Sequence, residues 1–319
     1  MSTYLETESY VYHMEPDKFI QSNVLFSDGS VLKTTDGFNT TVIAGNPERM
    51  GYQNGDNALF YLLTSFKQIS STLVVASDLW NNCLRLIDRE KQKAYRYAGQ
   101  CEKTGFKDGT EEALFNHPRG IISDWKHNGL IFVMDSKNLA IRYVEVSSTK
   151  RPAAVTTFFS SSELDWVGYA TQHPVTGDIF FTTSHQVYKL AYVSNGLSEV
   201  MISGNDVAQK GLHAQQLDPY TVVSPIRTYF KEIIFIDDNT LLVADRSSHV
   251  VRVFDISTNI TNVICNGVQA LQNGNWNTCS LNRPVSLMIL NSILFIGGEK
   301  SIQQIKGNFK FSQQKCENQ

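Results

Sequence analysis

A chain of 319 residues is long enough to bury a large core, and 42% apolar with 18% charged residues is a globular mixture, not a disordered one. A net charge of −3 supplies no basic field to hold a nucleic-acid backbone. No apolar run approaches the roughly 20 residues of a membrane-spanning helix.

Met1 to Asp17 is polar and acidic, without the basic start and apolar stretch of a secretory signal. It reads either as a cytosolic start or as a chain whose leader has been removed. The cysteines and sequons described below favour the second. Tyr10-Val11-Tyr12 has strand character. Asn23 to Thr34 (NVLFSDGSVLKT) is a tight hairpin with Asp28-Gly29 in its turn.

The stretch Leu73 to Ile121 is the fullest unit. Leu73, Val74 and Val75 open a run that ends at Asp78, and after a polar turn Leu84, Arg85 and Leu86 alternate. Tyr95 and Tyr97 mark a third run, then a glycine-rich loop leads to Pro118 and a fresh apolar strand. Three antiparallel strands, a loop and the next inner strand make the unit of a β-propeller.

The unit recurs. Asp78 and Arg85, Asp135 and Arg142, and Asp245 and Arg252 stand at one spacing, each Asp closing an apolar strand and each Arg inside the next. An Asp there accepts hydrogen bonds from turn N–H groups, and the Arg reaches its carboxylate or backbone oxygens, so the pair reads as scaffold. Asp178 to Leu190 keeps two strands without the Asp and Arg, and Ser292 to Ile305 keeps them around Gly297-Gly298. Gly51-Tyr52-Gln53-Asn54-Gly55 matches Gly105-Phe106-Lys107-Asp108-Gly109. Pro16, Pro118, Pro219 and Pro284 each stand where a first strand residue needs no ladder N–H.

Middle strands beginning at Val24, Leu73, Leu130, Ile179, Leu241 and Ile293 are 49, 57, 49, 62 and 52 residues apart. The expectation is one all-β domain over residues 1–319, a six-bladed β-propeller with four antiparallel strands per blade. The blades run roughly over 16–46, 58–100, 117–160, 163–205, 218–267 and 283–315. Residues 8–13 are favoured as the strand closing the last blade, with Asn308 to Ser312 competing for that place.

The pattern strand-Asp-x-x-Asn-x-x-Ile/Leu-Arg, then Ala-Gly, Asp-Gly and Ala-x-Phe-x-x-Pro-x-Gly-Ile resembles the NHL-repeat six-bladed propellers. Asp78 to Asp88 and Gly99 to Ile121 carry it best. With Cys83 and Cys101 in place, it is similar to extracellular animal NHL proteins. The likeness spans nearly the whole chain, is specific for fold and says little about function.

Cys83 begins a third strand and Cys101 follows a fourth, within bridging reach across adjacent strands. Cys265 and Cys279 flank a polar loop that a bridge would staple, and Cys316 is left over. The alternative is five ordinary thiols. Asn39 and Asn259 stand in N-glycosylation sequons, and Asn277 in a poor third. Together these features predict a secreted or extracellular glycoprotein, or the ectodomain of a larger one.

The seven histidines, His13, His117, His127, His173, His185, His213 and His249, form no metal-binding pattern. The resemblance implies an alternative: a metal-dependent channel enzyme, like amidating lyases with histidine-bound metal or lactonases with calcium. Asp17, Asp124 and Asp165, on or beside inner strands expected at 17–21, 119–125 and 163–170, are the carboxylates for such a calcium site. RNA binding, known for intracellular NHL propellers, is a third reading and expects a basic face with reduced thiols.

Aromatic residues point elsewhere. Trp80 and Trp276, flanked by asparagines, and Tyr52 and Phe106 are candidate ligand contacts. Trp125, Trp166 and Tyr220 also stand near loops or strand ends. The leading expectation is a binding module without catalytic residues, metal or cofactor. It would dock a protein, or a glycan or peptide, on a loop face, with no nucleic acid and no membrane insertion. Zinc or calcium in a central channel belongs to the enzyme alternative.

Overall fold

The computed structural model describes all residues except 147–151, 185, 193–199, 202–228, 259, 271, 276–277 and 307–319. Among the described residues the regular elements are strands, apart from a 3₁₀ turn at Ser136–Asn138. No helix is long and apolar enough to cross a membrane. Two compact units are present: Tyr4–Val167, and Gly168–Gln319 with Met1–Thr3.

In the first unit the chain forms antiparallel meanders. The first contains β1 (Ser2–Pro16, from Tyr4 on), β2 (Val24–Asp28), β3 (Val31–Thr35) and β4 (Thr40–Gly45). The second contains β5 (Leu63–Gln68), β6 (Leu73–Asp78), β7 (Cys83–Asp88) and β8 (Lys93–Ala98). The third contains β9 (Pro118–Ser123), β10 (Leu130–Asp135), β11 (Ala140–Glu145) and β12 (Val155–Ser160). Each strand pairs with the next, as in a propeller blade.

Strand period explains why these blades stack. Val74 and Ala76 of β6 pack with Leu25 and Leu32 of the first blade, together with Phe60. Val75, on the opposite face, packs with Ile131 and Val133 of the third blade. A middle strand buried on both faces needs neighbours on both sides, so its alternation of apolar and polar residues is lost.

In the other unit β13 (Ala170–Gln172), β14 (Ile179–Thr182), β15 (Val187–Tyr192) and β16 (Val200–Met201) form one sheet. A second comprises β17 (Phe230–Phe235), β18 (Thr240–Asp245), β19 (Val250–Asp255) and β20 (Ile260–Ile264). β21 (Ser286–Leu290) pairs with β22 (Ile293–Lys306). At the start of β1, Ser2 Oγ accepts from Gln304 Nε2 at 3.1 Å.

The fold class is therefore all-β with four-stranded blades of β-propeller type, but among the described residues the sheets number five, not six. Four have four strands, and the fifth runs β21-β22-β1-β2-β3-β4. The count falls because β1 and β22, at 15 and 14 residues, run on where a loop was expected.

The chain start differs from expectation in one further way. Pro16 closes β1 opposite Val24 instead of opening a strand, so the inner strand expected at 17–21 is a turn. Residues 8–13 lie within β1, which stands between β22 and β2 in the sheet order, as expected of an N-terminal strand beside the last one, with Val11 and His13 paired to Asp28 and Ser27 of the first blade. Asn308 to Ser312 falls outside the described residues. β9 matches the strand expected at 119–125 only to Ser123, and residues 163–169 precede β13 as loop.

Candidate functional site

The loops at one end of the second and third blades are held by buried arginines. Arg85 Nη1 donates to Asp78 Oδ2 at 2.9 Å and to Leu59 O at 2.9 Å. Its Nη2 donates to Gln53 O and Asn54 Oδ1. Asn81 Nδ2 donates to the same Asp78 oxygen and to Gly51 O, and Asp78 Oδ1 accepts from Tyr61 N at 2.7 Å. The third blade repeats this atom for atom. Arg142 holds Asp135, Leu114 O, Lys107 O and Asp108, while Asn138 holds Asp135 and Gly105 O. Burial raises both carboxyls to about 6 against the pull of these donors, which leaves them ionised at neutral pH.

Each guanidinium also lies between two rings. Arg85 is 4.8 Å from the centroids of Tyr52 and Phe60, and Arg142 is 4.9 Å from Phe106 and 5.3 Å from Phe115. Tyr52 is half-buried and Phe106 half-exposed, so each spends one ring face on the latch. In the other unit Arg252 pairs with Asp245 through Nε at 2.8 Å and Nη2 at 2.7 Å.

The latches fix a cluster of aromatic residues at the same end. Tyr61 precedes β5, Trp80 caps the β6–β7 turn and His117 precedes β9. Trp80 is 49% exposed and Tyr61 46%, and their rings lie 6.3 Å apart. The His117 ring packs edge-on against Trp80 at 4.6 Å. Asn82 Oδ1 accepts from His117 N at 2.9 Å, and His117 O accepts from Ser136 N. His117 takes a left-handed backbone at φ 55°. Burial, with Lys137 and Arg119 nearby, lowers its imidazole to about 4, so it is neutral at pH 7. Arg119 of β9 stacks over Trp166 at 4.9 Å.

This end is braced covalently. Cys83 is bonded to Cys101 with Cα atoms 4.9 Å apart, and Glu102 N donates to Asn81 O at 2.7 Å. In the other unit Cys265 is bonded to Cys279. Cys316 lies outside the described residues, as do Trp276, Tyr220, Asn259, His185 and His213. Asn39 is exposed in the turn before β4, where Asp36 Oδ1 accepts from its backbone N at 2.7 Å. Trp125 is half-buried.

The carboxylates considered for calcium are placed as follows. Asp17 accepts from Arg89 Nη1 and Nη2 at 2.6 and 2.8 Å, from Thr34 Oγ1 at 2.6 Å, and from Phe19 N and Ile20 N. Desolvation acts to raise its carboxyl, but these donors outweigh it and hold it low. Asp124 is bonded to Tyr143 Oη and His127 Nδ1, and Asp165 is exposed. His173 accepts from Val175 N and Thr176 N, and His249 accepts from Arg283 N. His13 packs on Phe66. Among the described residues no three His, Cys, Asp or Glu side chains converge as a metal site.

Tyr61, His117 and Arg119 were not singled out as ligand contacts from sequence. Their only signal was position, immediately before or at the start of an inner strand, where the chain comes to the same end as the Trp80 turn.

No family model and no curated protein matches the chain. Solved structures do. An auxiliary nutrient binding protein from Bacteroides thetaiotaomicron VPI-5482 is similar with a TM-score of 0.66 at 10% identity, over 95% of this chain and 76% of that one. An auxiliary nutrient binding protein from Bacteroides ovatus ATCC 8483 gives 0.63 at 12%, over 94% and 70%. The extracellular domain of a hybrid two-component system of B. thetaiotaomicron gives 0.55 at 14%, over 94% of this chain and 40% of that one. At such identities the likeness concerns fold.

Proposed function

We propose that this chain is an extracellular recognition module of the NHL-repeat type, without catalytic activity, which docks a protein, glycan or peptide on the end carrying Tyr61, Trp80 and His117. The observation that carries the proposal is the half-exposed pair Tyr61 and Trp80, set on turns that buried ion pairs and a disulfide hold in place. Rigid aromatic side chains with one free face bind at low entropic cost. Binding proteins and an extracellular domain among the similar folds support the reading. Two disulfides and an exposed sequon at Asn39 support an oxidising compartment and N-glycosylation there.

The test is affinity capture from extracellular material on immobilised protein, beside a Tyr61→Ala/Trp80→Ala variant. A ligand retained by the wild type and lost by the variant is the expected result. Equal retention by both moves the ligand off this end. Stoichiometric zinc or calcium with chelator-sensitive lyase or lactonase activity would replace the proposal altogether.

A further inference from the structure

The buried arginines of the Tyr4–Val167 unit divide into two kinds. Arg85, Arg142 and Arg89 are buried against carboxylates. Arg119 is 9% exposed, yet no ion pair to it occurs among the described residues; its Nε is buried without a hydrogen-bond partner, as are those of Arg85 and Arg142, so the missing anion is what sets it apart. Its guanidinium lies over the face of Trp166. A mostly buried cation without an anion is costly, and such groups are normally paired.

A second orphan lies beside it. His117 is 7% exposed and its Nδ1 is buried without a partner. Flexibility does not account for either. The Arg119 carbonyl accepts from Ser77 Oγ at 2.6 Å and Thr64 Oγ1 at 3.3 Å, and Ser65 Oγ accepts from Ile121 N at 3.1 Å. The start of β9 is thus tied down, with its cation prepositioned. Ring contacts run from Tyr61 through Trp80 to His117, and Arg119, two residues further along the chain, lies over Trp166.

We propose that Arg119 and His117 receive the carboxylate of an acidic sugar, a uronic acid residue, whose ring lies on the Trp80–Tyr61 shelf. The guanidinium fork matches a planar carboxylate with two parallel hydrogen bonds, and the neutral imidazole adds a neutral polar contact. One buried cation beside a neutral histidine suits one carboxylate. A phosphate-rich or sulfated chain would call for a row of cations. The half-exposed rings match the apolar face of a pyranose. This deepens the proposed docking role and rests on it.

The probe is an oligogalacturonide, titrated calorimetrically against its carboxyl-reduced neutral counterpart and against a glutamate-bearing peptide. The wild type is expected to bind the acid at least tenfold more tightly than the neutral sugar. Arg119→Met removes that preference, and Arg119→Lys, with charge but no fork, retains only part of it. Without ligand, Arg119→Met is expected to melt at or above the wild-type temperature, because an uncompensated buried charge has gone. A lower melting temperature makes the guanidinium a structural group and overturns the inference. So does equal binding of acid and neutral sugars, no binding of either, or binding of the peptide alone. If affinity capture retains a ligand that Trp80→Ala loses and Arg119→Met keeps, the docking role stands and this inference falls.

Discussion

The first and second blades solve the same problem with different cations. In the second, Asp78 ends β6 opposite Cys83, and Arg85 lies two residues into β7. In the first, Asp28 ends β2 opposite Val31, and Lys33 lies two residues into β3. The register is the same and the turn is two residues shorter. Lys33 Nζ donates to Asp28 Oδ2 at 2.7 Å, but Asp28 Oδ1 is left buried without a partner. Arg85 also holds the carbonyls of Gln53 and Leu59, in the long loop that precedes β5. β2 follows a continuous strand with no such loop to hold. The guanidinium fork is used where a crossover must be clamped, and an ammonium suffices where none is present.

The largest expected effect is on the second and third blades. Arg85→Met or Arg142→Met leaves a buried carboxylate without its cation and should lower unfolding free energy by about 3–5 kcal/mol in urea titrations. Arg85→Lys should rescue little of it, since one ammonium cannot reach four acceptors. Next comes Cys83→Ser/Cys101→Ser, which frees a span of 18 residues and should cost about 3 kcal/mol by the same measurement. Lys33→Met also orphans a buried carboxylate, but it removes one hydrogen bond where Arg85→Met removes four, and should cost less, about 1–3 kcal/mol. A cost equal to that of Arg85→Met would break the contrast between the blades.

The smallest effect is a pH dependence, and it sharpens the comparison because Arg89 tethers β7 to the turn after β1. Asp17 is held below its ordinary value when folded, so its contribution is complete above the unfolded value of 3.8. It is lost as pH falls through the lower, folded value. The stability gap between wild type and Asp17→Asn should therefore be constant near neutrality and close under acid. A gap that widens under acid would reverse the sign.

Much of this fold was legible because strands and turns repeat at a fixed offset. The seven-residue interval marked three buried ion pairs that the structure contains. It missed Lys33, because an interval counted in residues changes with turn length while strand register does not. The sheet count was misread where β1 and β22 run on, since nothing in a β-rich stretch tells a long strand from two short ones. Trp80 was legible from its flanking asparagines in a turn. Arg119 was not, because a missing partner is a property of the assembled neighbourhood and leaves no mark on the chain. Tyr52 and Phe106 were read as candidate ligand contacts, and the sequence did not show that each stacks one face on a latch arginine.

The bridge between Cys83 and Cys101 starts immediately after the turn that displays Trp80 and ends in the loop leading to His117. Maturation thus decides how firmly those two aromatic groups face one another. A polypeptide that never met an oxidant would hold this pair without a covalent tie, through hydrogen bonds such as those of Asn81 and Asn82. Material made in a reducing cytosol would then be the wrong sample in which to look for affinity.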